Sequence, residues 1–416
     1  MAKDLLDKLG FNSFHDMSSS NNFMANVEYS LKYCMDAGVK YIRPAFALQP
    51  EEFNNANADW STHNWGTWRV DPFKMFIRNG IKPILNLYPQ QIQGHLLDSN
   101  ADDLVEQAVT AYTKCIDVLI NNGISPSDFI IEAWNEADGT FAGNRKDAQQ
   151  NTMVINRYLT FNKEMCKACN DRGVEFWDFD SITYPNAPEI STVMNQYNSM
   201  VPTYTGKPDR ITFHPYCERG RDDNRIPEYY LYNFNLTNWD NLRNWGVPFA
   251  VSEFGYPSEE WGTPFSGNYP TQYAFSMLKR QIIILDFLQV EPMVVYSANV
   301  NPDPSRAGSD DCWGTYTIDD KTNHINYSPL GLNMLQWLQS MKGYHQTAFH
   351  SSLDDLVNVK NSDIDYAWFT AEYQDHSGNK KLFYWSPFGK QDINYQLDGW
   401  NTTLKNANQF IKCIES

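Results

Sequence analysis

Asp128-Phe129-Ile130-Ile131-Glu132-Ala133-Trp134-Asn135-Glu136 and Pro248-Phe249-Ala250-Val251-Ser252-Glu253-Phe254-Gly255 are two short apolar runs that each end on a carboxylate and then meet turn residues. A strand buried on both faces is nearly continuous in Val, Ile, Phe and Ala and has no use for Glu. An ionised carboxylate beside such a run is costly unless it lies at the strand's end or is paired. The two runs therefore read as the carboxyl ends of parallel strands that carry Glu136 and Glu253 to one place.

Working outward, the same alternation fills most of the chain. β-like runs occur at Leu9-Gly10-Phe11-Asn12, Lys40-Tyr41-Ile42-Arg43-Pro44, Ile81-Lys82-Pro83-Ile84-Leu85-Asn86 and Glu175-Phe176-Trp177-Asp178. Others lie at Arg210-Ile211-Thr212-Phe213-His214 and Pro292-Met293-Val294-Val295-Tyr296, which with the two opening runs makes eight. Helical spacing separates them. From Ala101 to Asn122 the apolar positions Leu104, Val105, Ala108, Val109, Ala111, Cys115, Val118 and Leu119 recur near every 3.6 residues. Asn151 to Asp171 and Pro270 to Leu288 behave alike, and Asn122-Gly123 and Arg172-Gly173 read as helix stops. Eight strands alternating with helices predict an α/β fold, a (β/α)8 TIM barrel, over residues 1–342. An open doubly wound sheet is the competing architecture; no Gly-rich phosphate loop follows any strand, which disfavours it.

After Lys342 the pattern changes to strand-like runs separated by turns. Tyr366–Tyr373 and Lys381–Trp385 flank the turn Asp375-His376-Ser377-Gly378-Asn379, a hairpin signal, and Asp392–Leu397 alternates as well. Residues 343–416 are expected to form a small C-terminal antiparallel β domain, sandwich-like, packed on the barrel. Long segments follow strands two, six, seven and eight, at about 46–68, 216–232, 256–269 and 299–316. Long loops on that face of a barrel build binding clefts.

Bulk properties exclude several functions. With 42% hydrophobic and 20% charged residues, the composition is that of an ordered globular chain. A formal net charge of −17 repels phosphate backbones, so nucleic acid is not the expected partner. No run approaches the roughly 20 apolar residues of a membrane span, and Met1-Ala2-Lys3-Asp4-Leu5-Leu6 has no signal-peptide core. That leaves a cytoplasmic chain, or an exported one whose signal lies outside this sequence. The seven cysteines are scattered and odd in number, unlike a disulfide framework; Cys166-x-x-Cys169 lacks a second pair for zinc and reads as buried thiols. Eight dispersed histidines without an H-x-H pair argue against a metal-dependent hydrolase, so no metal or cofactor is expected. Aromatic residues reach 15%, which suits both a large barrel core and stacking on sugar rings.

Paired carboxyl groups at one strand-end site suit the cleavage of a glycosidic bond, which needs one group as proton donor and one as nucleophile or base. On that reading the proton donor must hold its proton at working pH, and the neighbouring ionised carboxylate raises its pKa.

These residues resemble glycoside hydrolase clan A, the retaining barrel families that include families 5, 30 and 39. The acid/base Glu of that clan closes strand four after an Asn, as in Trp134-Asn135-Glu136, and its nucleophile closes strand seven, as in Ser252-Glu253-Phe254-Gly255. Arg43 in Ile42-Arg43-Pro44 matches the strand-two Arg of family 5, and His214-Pro215-Tyr216 matches its strand-six His-x-Tyr. The resemblance implies a retaining β-glycosidase acting on a polysaccharide or oligosaccharide. Glu253 would be the nucleophile, Glu136 the acid/base and Asn135 the partner of the sugar 2-hydroxyl. Arg43 and Tyr216 would hold Glu253, and His214 would lie beside them. Trp313, Tyr296, Asn86 and Trp177 complete the expected substrate-binding set, and Glu132 is expected to be an inward structural carboxylate. Two positions depart from family 5: strand three ends Leu85-Asn86-Leu87-Tyr88 where many members carry a His, and strand eight carries Tyr296-Ser297 where a Trp is usual. A non-catalytic carbohydrate-binding barrel, as in an adhesin or virion, is the alternative; the presence of both carboxylates argues against it.

Overall fold

The computed structural model describes residues 2–13, 23–47, 70–89, 92, 94–136, 152–181, 191–217, 226–233, 246–256, 270–298, 314–319, 324–353, 356, 364, 367–389, 391–396 and 400–416. Most of the four long segments expected to build a cleft, and Trp313 with them, lie outside the described residues.

Eight strands close into a parallel barrel in chain order: β1 (Leu9–Ser13), β2 (Tyr41–Ala47), β3 (Lys82–Tyr88), β4 (Ile130–Trp134), β5 (Glu175–Ser181), β6 (Arg210–Phe213), β7 (Phe249–Phe254) and β8 (Met293–Val295). β8 pairs back onto β1 through Leu9 with Met293 and Phe11 with Val295, so no edge is left open. Among the described residues seven helices lie between successive strands: α1 (Phe23–Ala37), α2 (Asp71–Arg78), α3 (Ala101–Asn121), α4 (Thr152–Asn170), α5 (Ser191–Met200), α6 (Tyr229–Asn233) and α7 (Thr271–Phe287). α8 (Pro329–Ser340) follows β8 after the hairpin β9 (Tyr316–Asp319) and β10 (His324–Tyr327), which the sequence pattern did not reveal. The architecture agrees with the (β/α)8 expectation strand for strand.

Local chemistry explains the helix limits. In α3 the buried positions Val105, Ala108, Ala111, Tyr112, Cys115, Ile116 and Leu119 form the inward stripe, and Asp102 and Asp103 face the positive end of the helix dipole. The expected stop residue Gly123 adopts φ +84°, a left-handed conformation that glycine enters without strain. Ser328 caps α8 by accepting from the Gly331 backbone N–H at 2.8 Å. α4 buries Cys166 and Cys169, and burial pushes both thiols up, as inert core residues. No helix among the described residues is long and apolar enough to cross a membrane.

The C-terminal segment forms a four-stranded antiparallel sheet of β11 (Tyr344–Ser351), β12 (Phe369–Asp375), β13 (Lys380–Trp385) and β16 (Lys412–Glu415), with a smaller pair β14 (Gln391–Tyr395) and β15 (Thr402–Ala407). The hairpin turn is held by Asp375, whose side chain accepts from the backbone N–H groups of Ser377 and Asn379 at 2.8 and 2.9 Å. The sheet sits on α7: Tyr373 donates to Asp286 at 3.0 Å, and Phe349 stacks on Phe287 with centroids 4.4 Å apart. Phe349, Phe369 and Trp385 join the same continuous core as the barrel.

Inside the barrel, alternation sorts side chains by depth. Ile84, Ile130, Trp177, Ala250 and Val294 form an apolar layer. Two residues further along the strands the inward positions turn polar: Arg43, Asn86, Glu132, Thr212 and Ser252, all buried. This polar layer is the floor of the site.

Candidate active site

Arg43 organises the carboxyl ends of the strands. Its Nε donates to Glu132, Nη1 to Glu253 at 2.5 Å and to Asn12 at 2.9 Å, and Nη2 to Asn135 at 3.0 Å and Asp180 at 3.1 Å. Every N–H of this planar fork meets an acceptor of fixed direction, so the guanidinium sets the positions of residues on or just after four other strands, β1, β4, β5 and β7. Burial alone would lower its pKa, but Glu132, Asp180 and Glu253 raise it, and the charge is permanent.

His214 is the second hub. Nε2 lies 2.6 Å from Asp180, Nδ1 2.8 Å from Glu136 and 3.4 Å from Glu253. Burial disfavours the imidazolium, yet Asp180, Glu253 and the bond to Glu136 outweigh it and raise His214 well above its ordinary value. A charged His214 donates from both ring nitrogens. Asp180 is also buried, and the charges of His214 and Arg43 hold it below the usual carboxylate range. Glu132, shielded at the same depth, is pushed up by burial despite its bond to Arg43. It is the inward structural carboxylate expected from the sequence.

Glu253 receives Arg43 on Oε1 and the Tyr216 hydroxyl on Oε2 at 2.8 Å. Burial and the negative charge of Glu253 raise the Tyr216 pKa, so Tyr216 keeps its proton and acts as donor. One oxygen each of Glu136 and Glu253 and one nitrogen of His214 all lie within 4.8 Å of one another. Glu136 leaves β4 with φ +44°, a left-handed turn that a non-glycine residue adopts at some cost.

Of the residues expected from sequence, Arg43, Asn135, Glu136, His214, Tyr216 and Glu253 come together directly. Tyr296 stands at the rim, half-buried, edge-on to Tyr216 with centroids 6.3 Å apart. Asn86 lies one layer beneath, where its amide donates to Asp180 at 2.7 Å and to the Ala133 carbonyl at 3.1 Å. It braces the floor. Trp177 is a correction: it is fully buried in the apolar layer with Ile84 and Val294 and faces no cleft. Inward alternation carries it into the barrel axis at a depth below the polar floor. Trp313 is outside the described residues.

Three participants were missed: Asn12, Asp180 and Ser252. Asn12 links Arg43 to β7 by donating to the Ser252 carbonyl at 2.9 Å, and the Ser252 hydroxyl donates to Asp180 at 3.2 Å. The run Phe176-Trp177-Asp178-Phe179-Asp180 carries the same signal as the opening stretches, an apolar run ending on a carboxylate. Strict alternation from Trp177 would send Phe179 inward and Asp180 outward. The pairing of β5 with β6 slips between Asp178 and Ser181, with φ +84° at Phe179 and +42° at Asp180, and this irregularity turns Asp180 to the axis.

The charge on His214 has a measurable consequence. Its folded-state pKa is raised above the unfolded value, so the stability it contributes is fully present below about pH 6.5. That stability is lost as pH rises through the elevated folded-state value. Thermal unfolding of His214→Gln from about pH 5 to about pH 10 is expected to show a shallower alkaline decline than the native chain. Equal slopes in the two proteins would mean that His214 is neutral in the fold.

No protein-family model and no curated protein matches the sequence. Solved structures do share the fold. An endo-β-1,6-glucanase aligns over 100% of this chain and 92% of its own, with a TM-score of 0.61 and 12% identity. A GH5-4 broad-specificity endoglucanase from Clostridium longisporum covers 82% of this chain and 100% of its own, at TM-score 0.55 and 11% identity. A hyperthermostable endo-1,4-β-D-mannanase from Thermotoga petrophila covers 80% and 99%, at TM-score 0.53 and 14% identity. The fold is thus that of barrel glycosidases such as these.

Proposed function

We propose that this chain is a retaining glycoside hydrolase that cleaves β-glycosidic bonds of a neutral polysaccharide or oligosaccharide by double displacement. The observation that carries the reading is the approach of Glu136 and Glu253, with one oxygen of each within 4.8 Å. Carboxyl groups about 5–5.5 Å apart suit direct attack, whereas inverting enzymes keep them about 6.5–9.5 Å apart to admit a water.

In the first step a Glu253 oxygen bonds the anomeric carbon as the bond to the leaving oxygen breaks, and Glu136 gives that oxygen its proton. In the second, Glu136 takes a proton from water, water oxygen bonds the anomeric carbon, and the ester to Glu253 breaks. Arg43 and Tyr216 donate to the two Glu253 oxygens and aim the carboxylate. His214 donates to Glu136 Oε1, so the transferred proton belongs on Oε2. Asn135 spends its Oδ1 on Arg43 and offers its amide NH2 to the sugar 2-hydroxyl. The structural neighbours named as glucanase, endoglucanase and mannanase, together with the acidic chain, favour β-linked glucans or mannans over charged glycans.

The test is reducing-sugar release over a panel of β-linked glucans, mannans, xylans and exopolysaccharides, with Glu136→Gln beside the native protein. The native chain is expected to release sugar from at least one. Glu136→Gln is expected to lose about 10²–10⁴-fold on that polymer and much less on an aryl glycoside whose leaving group needs no proton. Equal losses on both substrates would remove Glu136 from the acid role. Silence of the native protein across the panel would favour the binding-only barrel.

A further inference from the structure

Asp4, His345 and His376 are distant in sequence and meet at the end of the barrel opposite Glu136 and Glu253. Asp4 precedes the 3-10 turn Leu5–Lys8 that leads into the first residue of β1. His345 is the second residue of β11, and His376 follows β12 in the Asp375–Asn379 turn. One donor atom from each lies within 4.8 Å of the other two. The His345 and His376 rings face each other with centroids 5.9 Å apart and planes 28° from parallel.

The contacts are incomplete in a particular way. Asp4 Oδ1 and His345 Nδ1 are both shielded from solvent and have no hydrogen-bond partner among the described residues. Asp4 Oδ1 approaches His376 Nε2 to 3.2 Å without the alignment of a hydrogen bond. A shielded polar atom left unpaired costs about 1–3 kcal/mol, and native folds rarely tolerate one without reason. Here two of them belong to residues that, with His376, each bring one donor atom within 4.8 Å of the other two.

We propose that Asp4, His345 and His376 form a structural binding site for a divalent transition-metal ion of the zinc class. The ion clips the segment entering β1 to the C-terminal sheet. Two imidazoles and a carboxylate suit zinc, cobalt or nickel; magnesium and calcium prefer oxygen alone. Donors about 2.1 Å from a tetrahedral ion lie about 3.4 Å apart, close to the 3.2 Å between His376 and Asp4. His345 supplies the third donor, within 4.8 Å of the other two, and water would fill the fourth position. The His376 side chain is 61% exposed, which gives the ion a way in. The clip reinforces ion pairs that join the same end of the chain to the barrel, Lys3 to Glu291 and Lys8 to Asp286.

Tag-free protein titrated with zinc chloride tests the site by calorimetry and thermal unfolding. The native chain is expected to take up one equivalent, with Tm rising about 2–5 °C at saturating zinc. His376→Asn, an exposed change that leaves folding intact, is expected to weaken uptake at least about tenfold and abolish the rise. His345→Asn is expected to do the same, and Cys413→Ser, removing an exposed thiol, to bind as the native chain does. No uptake at millimolar zinc overturns the proposal. So does uptake that survives both histidine changes, or that disappears only with Cys413.

Discussion

Glu253→Ala is expected to lower turnover on the polysaccharide by on the order of 10⁴-fold or more, equivalent to about 5–6 kcal/mol of transition-state stabilisation. The protein itself should remain folded. Arg43 keeps Glu132 and Asp180 as partners, so its buried charge is not stranded. Truncation at residue 253 also opens a small cavity beside Tyr216 and Arg43. Azide fits such a space and needs no general base. On an activated aryl glycoside, added azide is therefore expected to restore much of the rate and to give a glycosyl azide of inverted configuration. On the proposed mechanism the native chain is expected to return sugar of retained configuration. The alternative function makes a different prediction, because a barrel that only binds sugar has no rate to lose. If Glu253→Ala hydrolyses the substrate within about tenfold of the native rate, Glu253 is not the nucleophile.

Arg280→Met is expected to destabilise the fold by about 3–5 kcal/mol, the largest loss of stability foreseen for a single change outside the site. Arg280 on α7 and Glu228, just before α6, are both fully buried. The guanidinium Nε donates to Glu228 Oε1 at 2.7 Å, and Nη2 donates to the other carboxylate oxygen. Trp385 of β13 donates to the same carboxylate at 2.6 Å, and Arg280 Nη1 reaches the Gln409 carbonyl at 3.2 Å. The pair therefore joins the barrel to β13 and to the segment between β15 and β16. Methionine fills the space but leaves the fully buried Glu228 side chain without its cation. Urea unfolding should show the loss as a lower midpoint. The double change Arg280→Met with Glu228→Gln is expected to recover a good part of it, because the uncompensated charge is gone. A single-variant loss below about 1 kcal/mol would show that solvent or a rearranged neighbour relieves Glu228.

The sequence by itself determined the barrel and the strand ends at which the candidate site gathers. Parallel strands covered by helices must be apolar on both faces, so the eight runs stood out from the amphipathic helices between them. A carboxylate is affordable only where such a run ends, so Glu136 and Glu253 pointed to the carboxyl ends of the strands, where the structure brings them together. His214 and Tyr216 lie just past the end of β6, where a turn closed by the Tyr216 N–H on the His214 carbonyl at 2.9 Å, not strand alternation, sets their directions. Alternation with a period of two, applied to Trp177, gives a residue inside the barrel but says nothing of its depth, and depth separates a core plug from a sugar platform.

What only the tertiary structure decided are the breaks in that rule and the meetings of distant residues. The pairings β3 with β4, β5 with β6 and β7 with β8 each slip near the carboxyl end. Such slips re-aim single side chains, and the one in β5 brings Asp180 between His214 and Arg43. Pairing slips arise from how neighbouring strands fit, not from the residues of one strand, so no local pattern announces them. Arg280 with Glu228 and Trp385, and Asp4 with His345 and His376, depend likewise on how the C-terminal sheet seats against the barrel. Their partners are separated by up to hundreds of residues, and only chain closure makes them neighbours.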